Sequence, residues 1–265
     1  MIHSVIKFFM KVVILAGGLG TRISEETVYK PKPMVLIGDK PILWHIMKIY
    51  ASHGFTDFVI CCGYKGQVIK EYFANYLLQE SDFTINTKNN TMQIHTSPSE
   101  DWNVTLVNTG ELTMTGGRVK RIKDYLNNEP FFLTYGDGVG DINIPELLAF
   151  HLKNGRKATL TATKPFGRFG VIDIAENGQI SSFKEKNKED VSWINGGFFV
   201  LEPSVLDYID GDETVFEKDP LEKLTLEGQL GAYQHDGFWR AMDSLNDKNV
   251  LEEYWNTGNA PWKIW

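Results

Sequence analysis

Apolar residues in this chain come in short dense runs, and between the runs they recur at three- and four-residue intervals. Residues 11–16 (KVVILA) are apolar without alternation after the opening lysine, the pattern of a parallel strand buried on both faces. Further strands are read at 57–62, 104–108 and 130–135, at 158–163 with Thr at alternate positions, and at 193–201, which contains Asn195-Gly196-Gly197. Residues 41–53 have a proline near the start, helical spacing and Gly54 as a stop, and predict a helix. Residues 65–78, 117–126 and 145–153 share the helical period. Strand and helix alternating at this interval imply right-handed βαβ units. The predicted class is α/β, with a Rossmann-like, mixed but mainly parallel sheet flanked by helices.

Two stretches break the rhythm. Residues 79–103 are polar, and Asn86 to Asn90 read as the turn of an inserted β-hairpin. Residues 170–174 and 179–183 predict a second hairpin about Asn177-Gly178, a dipeptide suited to a type I′ turn. Residues 203–265 read as helix and loop, closing on Trp255, Trp262 and Trp265. No repeat or linker interrupts the chain. The expected organisation is one domain over 10–265, preceded by an extension over residues 1–9.

A chain of 265 residues that is 42% hydrophobic can bury a full core. Its net charge of −7 excludes a general nucleic-acid surface, so any phosphate site must be a local basic island. The two cysteines, Cys61 and Cys62, are adjacent in a predicted strand and point to opposite faces, which excludes a disulfide between them. No run reaches transmembrane length. Together these features predict a cytoplasmic protein with no membrane partner. Histidines are scattered. His45 and His53 are expected on one helix in structural roles, and His235 precedes an acidic segment near residue 243.

Candidate chemistry concentrates after the first strand. Leu15, Ala16, Gly17, Gly18, Leu19, Gly20, Thr21 and Arg22 run from strand to glycine-rich turn, with Lys30 and Lys32 downstream. The three glycines are expected to allow positive φ and close approach of a ligand. Consecutive backbone N–H groups there form an anion-binding concavity, to which Arg22, Lys30 and Lys32 add charge. The spacing matches neither a P-loop nor a dinucleotide fingerprint: no lysine follows Gly20, and no third glycine closes G-x-G-x-x-G. Asp137, flanked by Gly136 and Gly138 just past a buried strand, is placed for a hard cation. Its bland alternative is a turn aspartate bonded to its own backbone.

This constellation resembles the sugar-nucleotide pyrophosphorylases, whose signature is a strand, L-A-G-G-x-G-T-R-L and a later K-P lysine. The resemblance runs through nearly the whole chain from Met10 and implies the nucleotide-diphospho-sugar transferase fold. It selects Asp243, after the aromatic Gly237-Phe238-Trp239, as a second metal ligand beside Asp137, with Mg2+ as cofactor. It implies nucleotide contacts at residues 15–22, Thr113, Gly117, Arg118 and Gly136. Through FGRFG, FKEK and NGGF it implies sugar-phosphate contacts at Gly170, Glu185, Lys186, Asn195 and Gly196. Asn187 stands where the family often has proline, so the chain is expected to be less fixed there.

Within the family, TVYKPK (27–32), ILWH (42–45), ICCGYK (60–65), NTGELTMTGGR (108–118), YGDGV (135–139) and APWK (260–263) are most similar to the branch that joins CTP to glucose 1-phosphate. Arginine only donates, so Arg118 suits the O2 and N3 acceptors of cytosine, with Thr113 or a backbone carbonyl accepting from the 4-amino group. Uracil and thymine would face it with an unpaired donor. Arg22 and the loop N–H groups are expected on the triphosphate and Lys32 between the reacting phosphates. The alternatives are UTP or dTTP as donor, and a non-catalytic nucleotide-sugar sensor on the same fold. Relatives form symmetric assemblies, hexamers included, so a homo-oligomer is expected. The 79–103 insertion and the tryptophan-rich tail are its candidate contact surfaces.

Overall fold

The computed structural model describes residues 10–97, 100–164, 171–174, 180–184 and 192–265. Its centre is a seven-stranded sheet. In chain order the strands are β1 Val12–Ala16, β2 Asp57–Cys62, β3 Asn103–Asn108, β4 Phe131–Tyr135, β5 Ala158–Thr163, β6 Ile194–Leu201 and β7 Leu230–His235. Across the sheet they run β7-β5-β6-β4-β1-β2-β3, and only β6 is antiparallel to its neighbours.

The unbroken apolar run of β1 has a direct cause. Val12, Ile14 and Ala16 enter the core on one face of the sheet, with Ile46, Tyr50 and Phe132, whereas Val13 and Leu15 enter the other, with Val119 and Phe216. A strand buried on both faces has no polar position to alternate with. Cys61 and Cys62 divide in the same way, and both thiols are free. Burial pushes the Cys62 thiol up to about 11 and Cys61 higher still, so both are inert at neutral pH.

Several expectations change in detail. The helix expected over 65–78 breaks at Asn75 into Gly66–Ala74 and Tyr76–Gln79. The one expected over 117–126 starts at Thr115, ends at Arg121 and is followed by a 3-10 turn, Lys123–Tyr125. His53 lies in the turn beyond the helix Ile42–Ala51 rather than on it. The C-terminal part is not only helix and loop. Leu230–His235 pairs with β5 as an edge strand, and Trp239–Ala241 pairs with Gly138–Gly140. Gly231, Gln234 and His235 dilute the apolar signal of the first, and three residues are too few to register for the second.

Both predicted hairpins form, as Phe83–Asn86 with Thr91–Ile94 and Val171–Ile174 with Ile180–Lys184. Asn86 Oδ1 accepts from Lys88 N and Asn89 N, which closes the first turn. In that ribbon Phe83 faces Ile94 and Ile85 faces Met92, so one side is apolar, and all four are exposed. The Asn177-Gly178 turn itself, Asn187 and the extension over 1–9 lie outside the described residues. Among the described residues no helix is long and apolar enough to cross a membrane.

Much of the tryptophan-rich tail, which is expected as a contact surface, packs against its own chain. Trp262 is fully buried and stacks on Phe238 at 5.6 Å, and Trp265 meets Trp44 edge-on. An aromatic tail lowers the free energy by burial wherever apolar partners lie within reach, and here the chain supplies them itself.

His45 sits inside this cluster. Its Nε2 donates to Ile37 O at 2.9 Å, and its Nδ1 accepts from Trp262 Nε1 at 3.3 Å, which holds the ring neutral. Burial pulls its pKa from 6.5 down to about 4. Between those values the unfolded chain takes up a proton that the folded one refuses, so stability is lost as pH falls from 6.5 to about 4. The melting temperature, followed by tryptophan fluorescence, is expected to fall across that window. His45→Gln, whose amide N–H can still reach Ile37 O, should flatten the fall; equal losses in both proteins would refute the assignment.

Candidate active site

Chain connections leave β1 toward β2 on one side, while β4 lies against β1 on the other. Such a reversal opens a crevice beyond the carboxyl ends of the two strands. Here it is a cavity of about 790 Å³, lined among others by residues 15–22, Lys32, residues 111–115, Arg118, residues 134–138, Asn195, Gly196 and Asp243.

One short strand pair assembles the acidic side. Gly138–Gly140 pairs antiparallel with Trp239–Ala241, and Met242 N donates to Asp137 O at 2.8 Å. This pairing sets Asp243 beside Asp137. Ser244, not Asp243, caps the helix Leu245–Asn256, in a capping box with Asp247, which leaves the Asp243 carboxylate for the cavity. The Asp137 carboxylate likewise engages a distant side chain rather than its own turn.

Lys32 joins the two acids. It begins a 3-10 turn, Lys32–Met34, and is only 7% exposed. Its Nζ donates to Asp137 Oδ2 and to Asp243 Oδ1, each at 2.7 Å. Arg22 Nη1 donates to the other Asp243 oxygen at 2.9 Å, with its side chain open to solvent. Two cations thus face two carboxylates at the mouth of the glycine loop. Lys30, also expected among the phosphate-binding charges, instead turns to Glu26 at 3.8 Å.

The loop glycines do different work from that expected. Only Gly20 has positive φ, at 66°. Gly17 is required by contact: a Cβ there would stand 2.2 Å from Arg118 Nη1. Gly18 faces open space within 4 Å, which leaves its backbone approachable. Gly117 is not a lining residue; its Cβ would meet the Asp212 backbone at 2.6 Å, so it serves close packing of the helix Thr115–Arg121. Gly136 lines the cavity and packs on Leu15 O and Pro33.

Arg118 departs furthest from expectation. Its Nη1 donates to Thr109 Oγ1 and Gly110 O, and its Nη2 to Gly17 O and Glu111 O, at 2.6–3.1 Å. All four terminal N–H groups are taken, so the guanidinium braces the glycine loop against residues 109–111 instead of standing free toward a base. It lies between Gly17 and Gly63, either of which would clash with it if it bore a Cβ. Tyr64 N adds a bond to Gly17 O at 3.1 Å.

Asn195 and Gly196 line the far wall. Asn195 Oδ1 accepts from Gly197 N at 2.8 Å, and Trp239 Nε1 donates to Gly196 O at 2.7 Å, which fixes that strand end. Gly170, Glu185 and Lys186 lie outside the described residues. His235 turns away from the cavity to Asp141 at 2.9 Å. Burial raises the Asp141 pKa, but the His235 hydrogen bond and charge outweigh it and hold it below the ordinary value.

Sequence reasoning missed Gly63, Tyr135, Glu217 and Trp239. Gly63 and Tyr135 carry a usable signal, since each stands at the carboxyl end of a parallel strand. Trp239 stands in the aromatic segment that marks Asp243, which is its signal; Glu217 carries none and arrives from distant sequence.

A nucleotidyl transferase family model matches residues 11–256. The chain is 60% identical over 257 residues to the glucose-1-phosphate cytidylyltransferase of Salmonella typhi, covering 97% of this chain and 100% of that protein. It is 46% identical over 259 residues to the probable glucose-1-phosphate cytidylyltransferase of Bacillus subtilis, covering 97% and 100%. A putative glucose-1-phosphate thymidylyltransferase from Bacillus anthracis superposes with a TM-score of 0.68 over 95% of each chain at 18% identity, a likeness of fold. With a matched signature, a switch-point cavity and relatives spanning its length, the chain belongs to the nucleotidyl transferase family.

Proposed function

We propose that this chain makes CDP-glucose and pyrophosphate from CTP and α-D-glucose 1-phosphate. The observation that carries the reading is the meeting of Lys32, Arg22, Asp137 and Asp243 at the mouth of the glycine loop. The near-full-length similarity to the Salmonella typhi cytidylyltransferase supports the choice of substrates. A phosphate oxygen of the sugar phosphate bonds to the α-phosphorus of CTP. The bond from that phosphorus to the bridging oxygen breaks, and pyrophosphate leaves with the electron pair. The attacking oxygen is already anionic at neutral pH, so no strong general base is needed, and the protein's task is to align two anions and offset their charge.

Arg22 and the loop N–H groups take the triphosphate and the departing pyrophosphate, and Lys32 bridges the reacting phosphates. Asp137 and Asp243 suit a divalent cation: their oxygens converge on a single ammonium. Among the described residues no third histidine, cysteine or acid joins them. Two carboxylates completed by phosphate oxygens and water is the ligand pattern of Mg2+. Bound there, Mg2+ supplies charge screening and Lewis acidity. For the base, Thr113 and the Glu111 carbonyl held by Arg118 offer acceptors to a 4-amino group, which cytosine has and uracil and thymine lack. Gly170, Glu185, Lys186, Asn195 and Gly196 are the proposed sugar-phosphate wall. The exposed apolar side of the 83–94 ribbon supports a homo-oligomer in which a second copy covers it.

Mass spectrometry of products from glucose 1-phosphate and Mg2+ with CTP, UTP or dTTP tests the reading. CDP-glucose with stoichiometric pyrophosphate is expected, and only traces from the other two. Equal turnover of UTP would overturn the base assignment, and no product with any nucleotide would leave the sensor alternative.

A further inference from the structure

Glu217 stands in the cavity wall, outside every motif of the sequence. Each of its carboxylate oxygens takes one hydroxyl: Tyr135 Oη donates to Oε1, and Thr115 Oγ1 to Oε2, both at 2.6 Å. Those hydroxyls are oriented in turn. Thr115 Oγ1 accepts from Phe216 N at 2.9 Å, and Tyr135 Oη accepts from Asn195 Nδ2 at 3.3 Å. Because each oxygen already accepts from a nitrogen, its own hydrogen is directed at Glu217. Burial, reinforced by the Glu217 charge, holds the Tyr135 phenol above its ordinary pKa and keeps it a donor.

A carboxylate accepts about four hydrogen bonds. Among the described residues Glu217 receives two, both from neutral hydroxyls, and no lysine or arginine pairs with it. The cations of the cavity stand elsewhere, at Arg22 and Lys32. An acceptor-only group with unfilled lone pairs, held rigidly at a cavity wall, repels phosphate oxygens and attracts hydroxyl hydrogens. Its supports reach both walls, through Thr115 to the helix Thr115–Arg121 and through Tyr135 to Asn195.

We infer that Glu217 accepts a hydrogen bond from a ring hydroxyl of a substrate, on the hexose or on the ribose, with Thr115 and Tyr135 as positioning residues. The inference rests on the nucleotidyl-transfer reading of the site. Glu217→Gln keeps the shape and removes the charge. It is expected to raise KM for one substrate about tenfold, the effect of one charge-assisted hydrogen bond. KM for the other substrate, and the melting temperature, should stay unchanged.

Analogues name the source. If the penalty falls on glucose 1-phosphate and vanishes for one deoxyhexose 1-phosphate, the hexose is read; if it falls on CTP and vanishes for 2′-deoxy-CTP, the ribose is read. Tyr135→Phe, which leaves the carboxylate in place but less fixed, should move the same KM by a smaller factor. Unchanged KM values, or a uniform fall in kcat with a lower melting temperature, would reduce Glu217 to a strut and overturn the inference. A wild-type enzyme that forms no nucleotide sugar would instead overturn the function itself.

Discussion

Replacing Lys32 with alanine is expected to lower turnover by about a hundredfold or more, the usual cost of losing one charge aimed at a transferring phosphoryl group. The fold should survive. Lys32 is buried, but the carboxylates it bridges are a quarter exposed, at 28% and 25%, so water and counterions can reach them once the ammonium is gone. Circular dichroism and a melt should therefore match wild type closely while pyrophosphate release collapses. The geometry sharpens the expectation further. Lys32 is the group that touches both acids, so its loss also leaves Asp137 and Asp243 repelling each other. A variant with near-wild-type kcat would remove Lys32 from the chemistry and leave it as a counterion.

Gly63→Ala is expected to damage the site from a position outside the cavity lining. A Cβ there would lie 2.3 Å from Arg118 Nη1 and 2.7 Å from Gly17 O. Arg118 cannot retreat without giving up bonds to Gly17 O, Gly110 O and Glu111 O. Overpacking of this kind costs about 1–3 kcal/mol. Here the displaced groups are the brace and the first carbonyl of the glycine loop, so kcat/KM should fall by about tenfold or more, and the melting temperature should drop as well. Gly18→Ala is the contrast. Nothing stands within 4 Å of its Cβ, so it should melt like wild type. Wild-type kinetics in Gly63→Ala would mean that Arg118 does not hold the loop in place.

What could be read in advance follows from how local each signal was. The β1 run, the glycine turn and Lys32 sit within one short stretch, and both their identity and their convergence were legible. Asp137 was legible because it follows a buried strand. Asp243 was legible only through the family resemblance, since its arrival depends on pairing Trp239–Ala241 with Gly138–Gly140, a contact with almost no periodic signature. Arg118 was legible as a site residue but not in its role. Its charge suggested a ligand, whereas the burial created by two glycines distant in sequence turned it onto carbonyls. Glu217 was invisible for a related reason: an acid before a polar helix looks like any solvated surface until the fold sets it opposite Tyr135.

The packing of Trp262 on Phe238 also bears on how the second acid is held. Phe238 leads directly into Trp239–Ala241, the ribbon that carries Asp243 to its partner acid. The place of Asp243 thus leans on a ring that lies well downstream of it in sequence. Trp262→Ala is therefore expected to loosen the ribbon and the alignment of Asp243 with Asp137, while the glycine loop, which is built from β1 and its neighbours, keeps its shape.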